Sequence, residues 1–136
     1  IDCDHDDMEV LRGHIYLENQ HIEEAEEAFK HAILNSGNAP RVLLRIIVSL
    51  YDNKFVKATY TMFLKFFEVV GPDFDEGYAY MALCCWDLNK QQEFMKYLEE
   101  AVRRNPQEAG IVLSNLFPDG MEPKDYIKYM KDKLSL

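Results

Sequence analysis

Apolar and small residues recur along this chain in steps of three and four. From Ile22 the run is Ile22, Ala25, Ala28, Phe29, Ala32, Ile33. From Val56 it is Val56, Thr59, Met62, Phe63, Phe66, Phe67, and from Gln91 it is Gln91, Phe94, Tyr97, Leu98, Ala101, Val102. Such steps place one apolar stripe along an α-helix. No stretch alternates with period two, so strands are not expected. Asn19-Gln20, Asp52-Asn53 and Asn89-Lys90 mark short turns, and Ser36-Gly37-Asn38, Gly71-Pro72 and Asn105-Pro106 mark stronger stops. The pattern predicts helices over 6–18, 22–35, 40–52, 55–70, 74–88, 91–104, 107–117 and 123–134.

The second, fourth and sixth of these superpose at shifts of 34 and then 35 residues. A fixed period of that length, with two helices in each period, is the signature of a helical repeat array. A single helix pair cannot bury its apolar face alone and must stack on its neighbours.

The first period, Gly13 to Ile33, resembles a tetratricopeptide repeat. The family's glycine falls on Gly13, its tyrosine on Tyr16, its alanines on Ala25 and Ala32 and its phenylalanine on Phe29. Glu9, Arg12 and Gly37 stand where the pattern asks for a large residue, leucine and proline. Small residues let the helices approach, and Tyr16 and Phe29 fill the space between. The third period is a looser copy, with Tyr78, Met81, Ala82 and Cys85, then Phe94, Leu98, Ala101 and Pro106. The middle period holds Leu43, Ile46, Ile47, Leu50, Thr59, Phe63, Phe66 and Gly71. Its small positions have become large, which predicts wider helix spacing or local repacking.

The resemblance implies an all-α, right-handed solenoid in one domain over residues 1–136. Its repeats would lie near 6–38, 40–72 and 75–106, with capping helices over 107–136. In that last segment Pro118 interrupts a start at Ile111, Val112 and Leu116, and Pro123 suits the first position of a final helix. The final stripe is Tyr126, Ile127, Met130 and Leu134, with Lys124, Lys128, Lys131 and Lys133 mostly on other faces.

The resemblance also implies a concave face, lined by the first helix of each repeat, that binds a peptide or a partner protein. In this register the groove takes Val10, His14, Leu17 and Glu18 from the first repeat. The second supplies Leu44, Val48, Tyr51 and Asp52, and the third Ala79, Leu83, Trp86 and Asp87. Leu17-Glu18, Tyr51-Asp52 and Trp86-Asp87 recur one period apart as an apolar or aromatic residue followed by an acid. One reading is a row of apolar anchors rimmed by carboxylates, suited to a ligand with apolar and basic groups. The other is that Tyr51 and Trp86 are core and the acids merely begin turns. Some members of the family clamp a C-terminal carboxylate. The matching positions here include Val10, His14, Glu76 and Tyr80, which lack that chemistry, so such a ligand is disfavoured.

Charge narrows the partners. Twenty-four acidic against fifteen basic residues give a net charge of −9. A surface that negative repels nucleic acid and anionic lipid. No apolar run reaches the ~20 residues needed to span a bilayer, so membrane insertion is not expected. The chain begins at Ile1 rather than Met and is compatible with a piece of a longer protein. Cys3, Cys84 and Cys85 are too few and too close for a disulfide framework, which leans towards a reducing, cytoplasmic setting.

The segment Asp2-Cys3-Asp4-His5-Asp6-Asp7 is crowded with metal-ligating types, but ligands so close in sequence cannot converge on one ion. A solvated acidic helix start is the better reading, and Asp73, Asp75 and Glu76 read the same way. His14, His21 and His31 form no ligand motif. Cys84 and Cys85 are helix neighbours pointing ~100° apart and are expected to be buried rather than a redox pair. No nucleophile–base pair, phosphate loop or nucleotide fingerprint appears, so neither catalysis nor a cofactor or metal is expected. Self-association through an exposed end of the repeats is the alternative function. A ligand-sensing or enzymatic helical domain ranks third, because it would need a closed polar pocket.

Overall fold

In the computed structural model, residues 3–71 and 74–135 are described, with side chains from Asp7 onward. Among the described residues there are eight α-helices and no strand: α1 Cys3–Glu18, α2 Ile22–Ser36, α3 Pro40–Asp52, α4 Val56–Val69, α5 Tyr78–Asp87, α6 Gln91–Arg104, α7 Pro106–Val112 and α8 Tyr126–Leu134. The chain divides into two compact units, Ile1–Gly71 and Pro72–Leu136, at the stop read from Gly71-Pro72.

The repeat is written into the backbone of the turns. Gln20, Lys54 and Asn89 each adopt a left-handed conformation, with φ of 64°, 68° and 59°. The next residue then donates its N–H back to a carbonyl five residues earlier: His21 to Tyr16 at 2.8 Å, Phe55 to Leu50 at 2.9 Å, and Lys90 to Cys85 at 2.9 Å. These bonds satisfy carbonyls that the end of the first helix would otherwise leave without partners. The middle pair, the weakest match in side chains, makes the same turn as the other two.

In the first unit Gly13 lies against the Phe29 ring, and Ala25 and Ala32 are wholly buried between α1, α2 and α3. Val10, Leu17, Val42 and Ile46 complete that core. The middle pair is looser, since α3 and α4 approach less closely than α1 and α2 do. Ile47 stands in the position of Gly13, and Phe63 and Phe66 are wholly buried. Phe67 joins those two rings at centroid distances of 5.7 and 5.3 Å.

The second unit packs α5 on α6 around Met81, Ala82, Phe94, Leu98 and Ala101. Its helix starts four residues later than predicted. Gly77, at φ 102°, holds a conformation that a side chain would strain, and α5 begins only at Tyr78. The helix expected over 107–117 is shorter than predicted, with α7 ending at Val112. Chain regularity after Val112 tightens into a 3₁₀ turn over Ser114–Leu116, and Phe117 is extended at ψ 159°, as a residue before proline tends to be. The terminal helix α8 packs on α6 with Tyr126 and Met130 buried and its lysines exposed. Tyr126 stacks flat on Phe117, with ring centroids 3.7 Å apart.

Candidate functional site

Each proposed groove residue sits on α1, α3 or α5, and the structure sorts them by exposure. Val10 and Leu17 are in the core of the first unit, packed with Val42 and Ile46, and Ala79 is wholly buried in the second. These three offer no contact surface, because the stripe they occupy is turned towards neighbouring helices. His14, Leu44, Val48, Tyr51, Leu83 and Trp86 are half-buried. Glu18, Asp52 and Asp87 are exposed.

Leu44, Val48 and Tyr51 fall at i, i+4 and i+7 on α3 and so share one face. His14 lies beside α3. Its Nδ1 shares a hydrogen bond of 2.8 Å with the Ser49 hydroxyl, and the Asn53 amide nitrogen lies 3.4 Å from the same atom. Asn53 also donates to the Ser49 carbonyl at 2.8 Å. On the far side His14 Nε2 is 3.6 Å from Glu18. Sequence reasoning missed Ser49 and Asn53. Ser49 lies on a helix face that the periodicity assigns to packing, and only the placement of α1 against α3 joins it to His14.

In the second unit Trp86 leans on Phe94, with centroids 5.0 Å apart and ring planes at 57°. Phe94 occupies the position of Ala25 in the first repeat. A large ring has entered a small position, and the indole has become its partner. Trp86 therefore combines a packing role with partial exposure.

The α5 start is held from outside. The Glu108 carboxylate of α7 accepts the Gly77 N–H at 3.0 Å. Arg104 donates through Nε to Glu100 at 2.7 Å and through Nη1 to Asp75 at 3.1 Å, and its guanidinium lies 4.9 Å from the Tyr78 ring centre. Asp75 thus precedes the helix as an ion-pair partner. The metal reading of Asp2 to Asp6 concerns side chains outside the described residues.

Burial pushes the Glu108 carboxyl above its ordinary value, opposed in part by the Gly77 N–H. Between its unfolded and folded pKa the folded chain binds more protons. Its contribution to stability is therefore complete below the ordinary glutamate value and lost as pH rises through the folded one. Glu108→Gln keeps an acceptor for Gly77 and removes the titration. Denaturant unfolding between about pH 4 and about pH 7 should show the variant gaining stability relative to the parent as pH rises. A difference that stays flat would show that Glu108 titrates as an ordinary surface glutamate.

Neither Cys84 nor Cys85 is in a disulfide, and both are buried. Burial raises Cys84 to about 11 and Cys85 to about 12, so neither carries thiolate at neutral pH.

Two helices per period, joined each time by the same turn, define a helical repeat protein. Residues 10–37 and 76–108 match the family model for the tetratricopeptide repeat. These two segments carry tetratricopeptide repeats, and they flank the looser α3–α4 pair. No curated protein and no solved structure matches it. Tetratricopeptide repeats generally mediate protein–protein interaction, on a scaffold that is typically not catalytic. No helix among the described residues is long and apolar enough to cross a membrane.

Proposed function

We propose that the chain binds a peptide or a partner protein bearing apolar and basic groups, through the outward faces of α1 and α3 in the first unit and, separately, of α5 in the second. The apolar contacts are Leu44, Val48, Tyr51, Leu83 and Trp86, with His14 as a polar contact. Glu18 and Asp52 are the acids of the first unit's face, and Asp87 is that of the second.

The observation that carries this reading is the position of those acids. Each is exposed in the last turn of a first helix, and none of these last turns contains a basic residue. A carboxylate there opposes the helix dipole at a cost of about 0.3–1 kcal/mol. Turn formation explains one such acid; the same placement in three repeats favours cationic counterparts.

Trp86 reports binding directly. A peptide with leucine and arginine side chains should change its emission saturably, and the effect should weaken with added salt. The pair Asp52→Lys and Asp87→Lys should weaken binding by about tenfold or more. No saturable change with the parent protein, or binding indifferent to both reversals, would remove the acidic face from the mechanism.

A second reading is self-association through α1. Met8, Leu11 and Ile15 are exposed on one side of that helix, whereas Val42 and Ser49, in the positions of Met8 and Ile15 one repeat on, are buried. Sedimentation over a concentration range separates the two, because a monomer throughout leaves only the first.

A further inference from the structure

The first unit carries a second concavity, built by its second helices. Between α2 and α4 lies an open cleft of about 380 Å³. Its floor is Ile46 and Leu50 of α3, and its walls are Phe29 and Ile33 of α2 and Ala58 and Met62 of α4. None of these belongs to the face proposed above. The cleft follows from the loose middle repeat. Ala58 is small and exposed, and it leaves the mouth open over the floor.

Polar groups at the cleft are few: Glu26 and Lys30 from α2, and Thr61 from α4. Thr61 already donates its hydroxyl to the Lys57 carbonyl at 3.1 Å. An extended peptide laid here would find almost no partners for its backbone N–H and C=O groups, whereas a helix satisfies its own. The rims differ in charge. Glu23 and Glu26 are exposed on α2 beside Lys30, while Lys57, Lys65 and Glu68 are exposed on α4, the two lysines one turn either side of Thr61.

We infer that this cleft docks an amphipathic α-helix of a partner protein, its apolar stripe seated on the half-buried Ile33, Leu50 and Met62. The flank over α2 is basic and the flank over α4 is acidic. This site is independent of the faces proposed on α1, α3 and α5, and each can fail without the others.

The test uses a labelled synthetic helix with leucines at i, i+4 and i+7, lysines on one flank and glutamates on the other. Its fluorescence anisotropy is followed as the full chain is added. The expected result is saturable binding, weakened about tenfold or more by Ala58→Tyr, which fills the mouth from an exposed position. Lys57→Glu with Lys65→Glu should shift preference towards a peptide with the two flanks exchanged. Circular dichroism checks the fold of Ala58→Tyr, and Thr61→Arg serves as the blocking variant if that fold is disturbed. Absence of saturable binding overturns the proposal, as does binding indifferent to the blocking variant. So does equal binding of a peptide broken by a central proline. A parent dimer that Ala58→Tyr dissociates would assign the cleft to a second copy of the chain instead.

Discussion

Phe94→Ala is expected to destabilise the second unit by about 3–5 kcal/mol, the usual cost of removing a large aromatic ring from a packed core. Phe94 is wholly buried, with Met81, Leu98 and Ala101 also buried around α5 and α6. Domains of this size have net stabilities of about 5–15 kcal/mol, so the loss is a large fraction of the whole. The same change removes the ring on which Trp86 leans at 5.0 Å, so the indole should become more exposed and its emission should shift to the red. Urea unfolding followed by Trp86 fluorescence reads both effects at once. Phe94→Leu should lose less on both measures. A cost below about 1 kcal/mol would mean that the α5–α6 interface is not organised around this ring.

The second large effect is expected at Gly13, and its sign runs against local propensity. Replacing a glycine inside a helix by alanine ordinarily gains about 1 kcal/mol. Here the added Cβ would stand 2.6 Å from Cδ1 and 2.9 Å from Cζ of Phe29, and closer still to Cε1. Phe29 is itself buried in the core and its ring is not the free end of a flexible chain. Overpacking of this kind costs about 1–3 kcal/mol, and contacts this short belong at the upper end. Gly13→Ala should therefore lower stability by about 2 kcal/mol net, the clash outweighing the propensity gain. Combining it with Phe29→Leu should cost less than the sum of the two single changes, because the smaller side chain relieves the clash. Gly13→Ala with unchanged or raised stability in thermal unfolding would show that α1 and α2 are not held at this closest approach.

These contacts mark how far the chain can be read without its fold. Helix positions, turn positions and the repeat period were all legible, because each depends on short-range spacing. Apolar residues three and four apart define a stripe, and the residue types at Gln20, Lys54 and Asn89 fall where the turns form. The small residues Gly13, Ala25 and Ala32 pointed correctly to a close helix pair, since only small side chains permit it. The late start of α5 was less visible: Gly77 was plain in the sequence, but its backbone conformation depends on Glu108, 31 residues further on.

Three of the residues proposed for the groove are buried. Val10, Leu17 and Ala79 share a register with residues that are half-exposed, and only the approach of neighbouring helices decided that they are buried. The pairing of His14 with Ser49 and Asn53, the lean of Trp86 on Phe94 and the opening between α2 and α4 are of the same kind. By itself the sequence determined which residues form helices, where the chain turns and with what period the pattern returns, since local sterics and 3.6-residue spacing settle those. Which face of each helix is covered, and what gap remains between two helices a repeat apart, was decided only by the tertiary structure. Those outcomes depend on the summed volumes of side chains brought together from distant positions, and no local pattern records that sum.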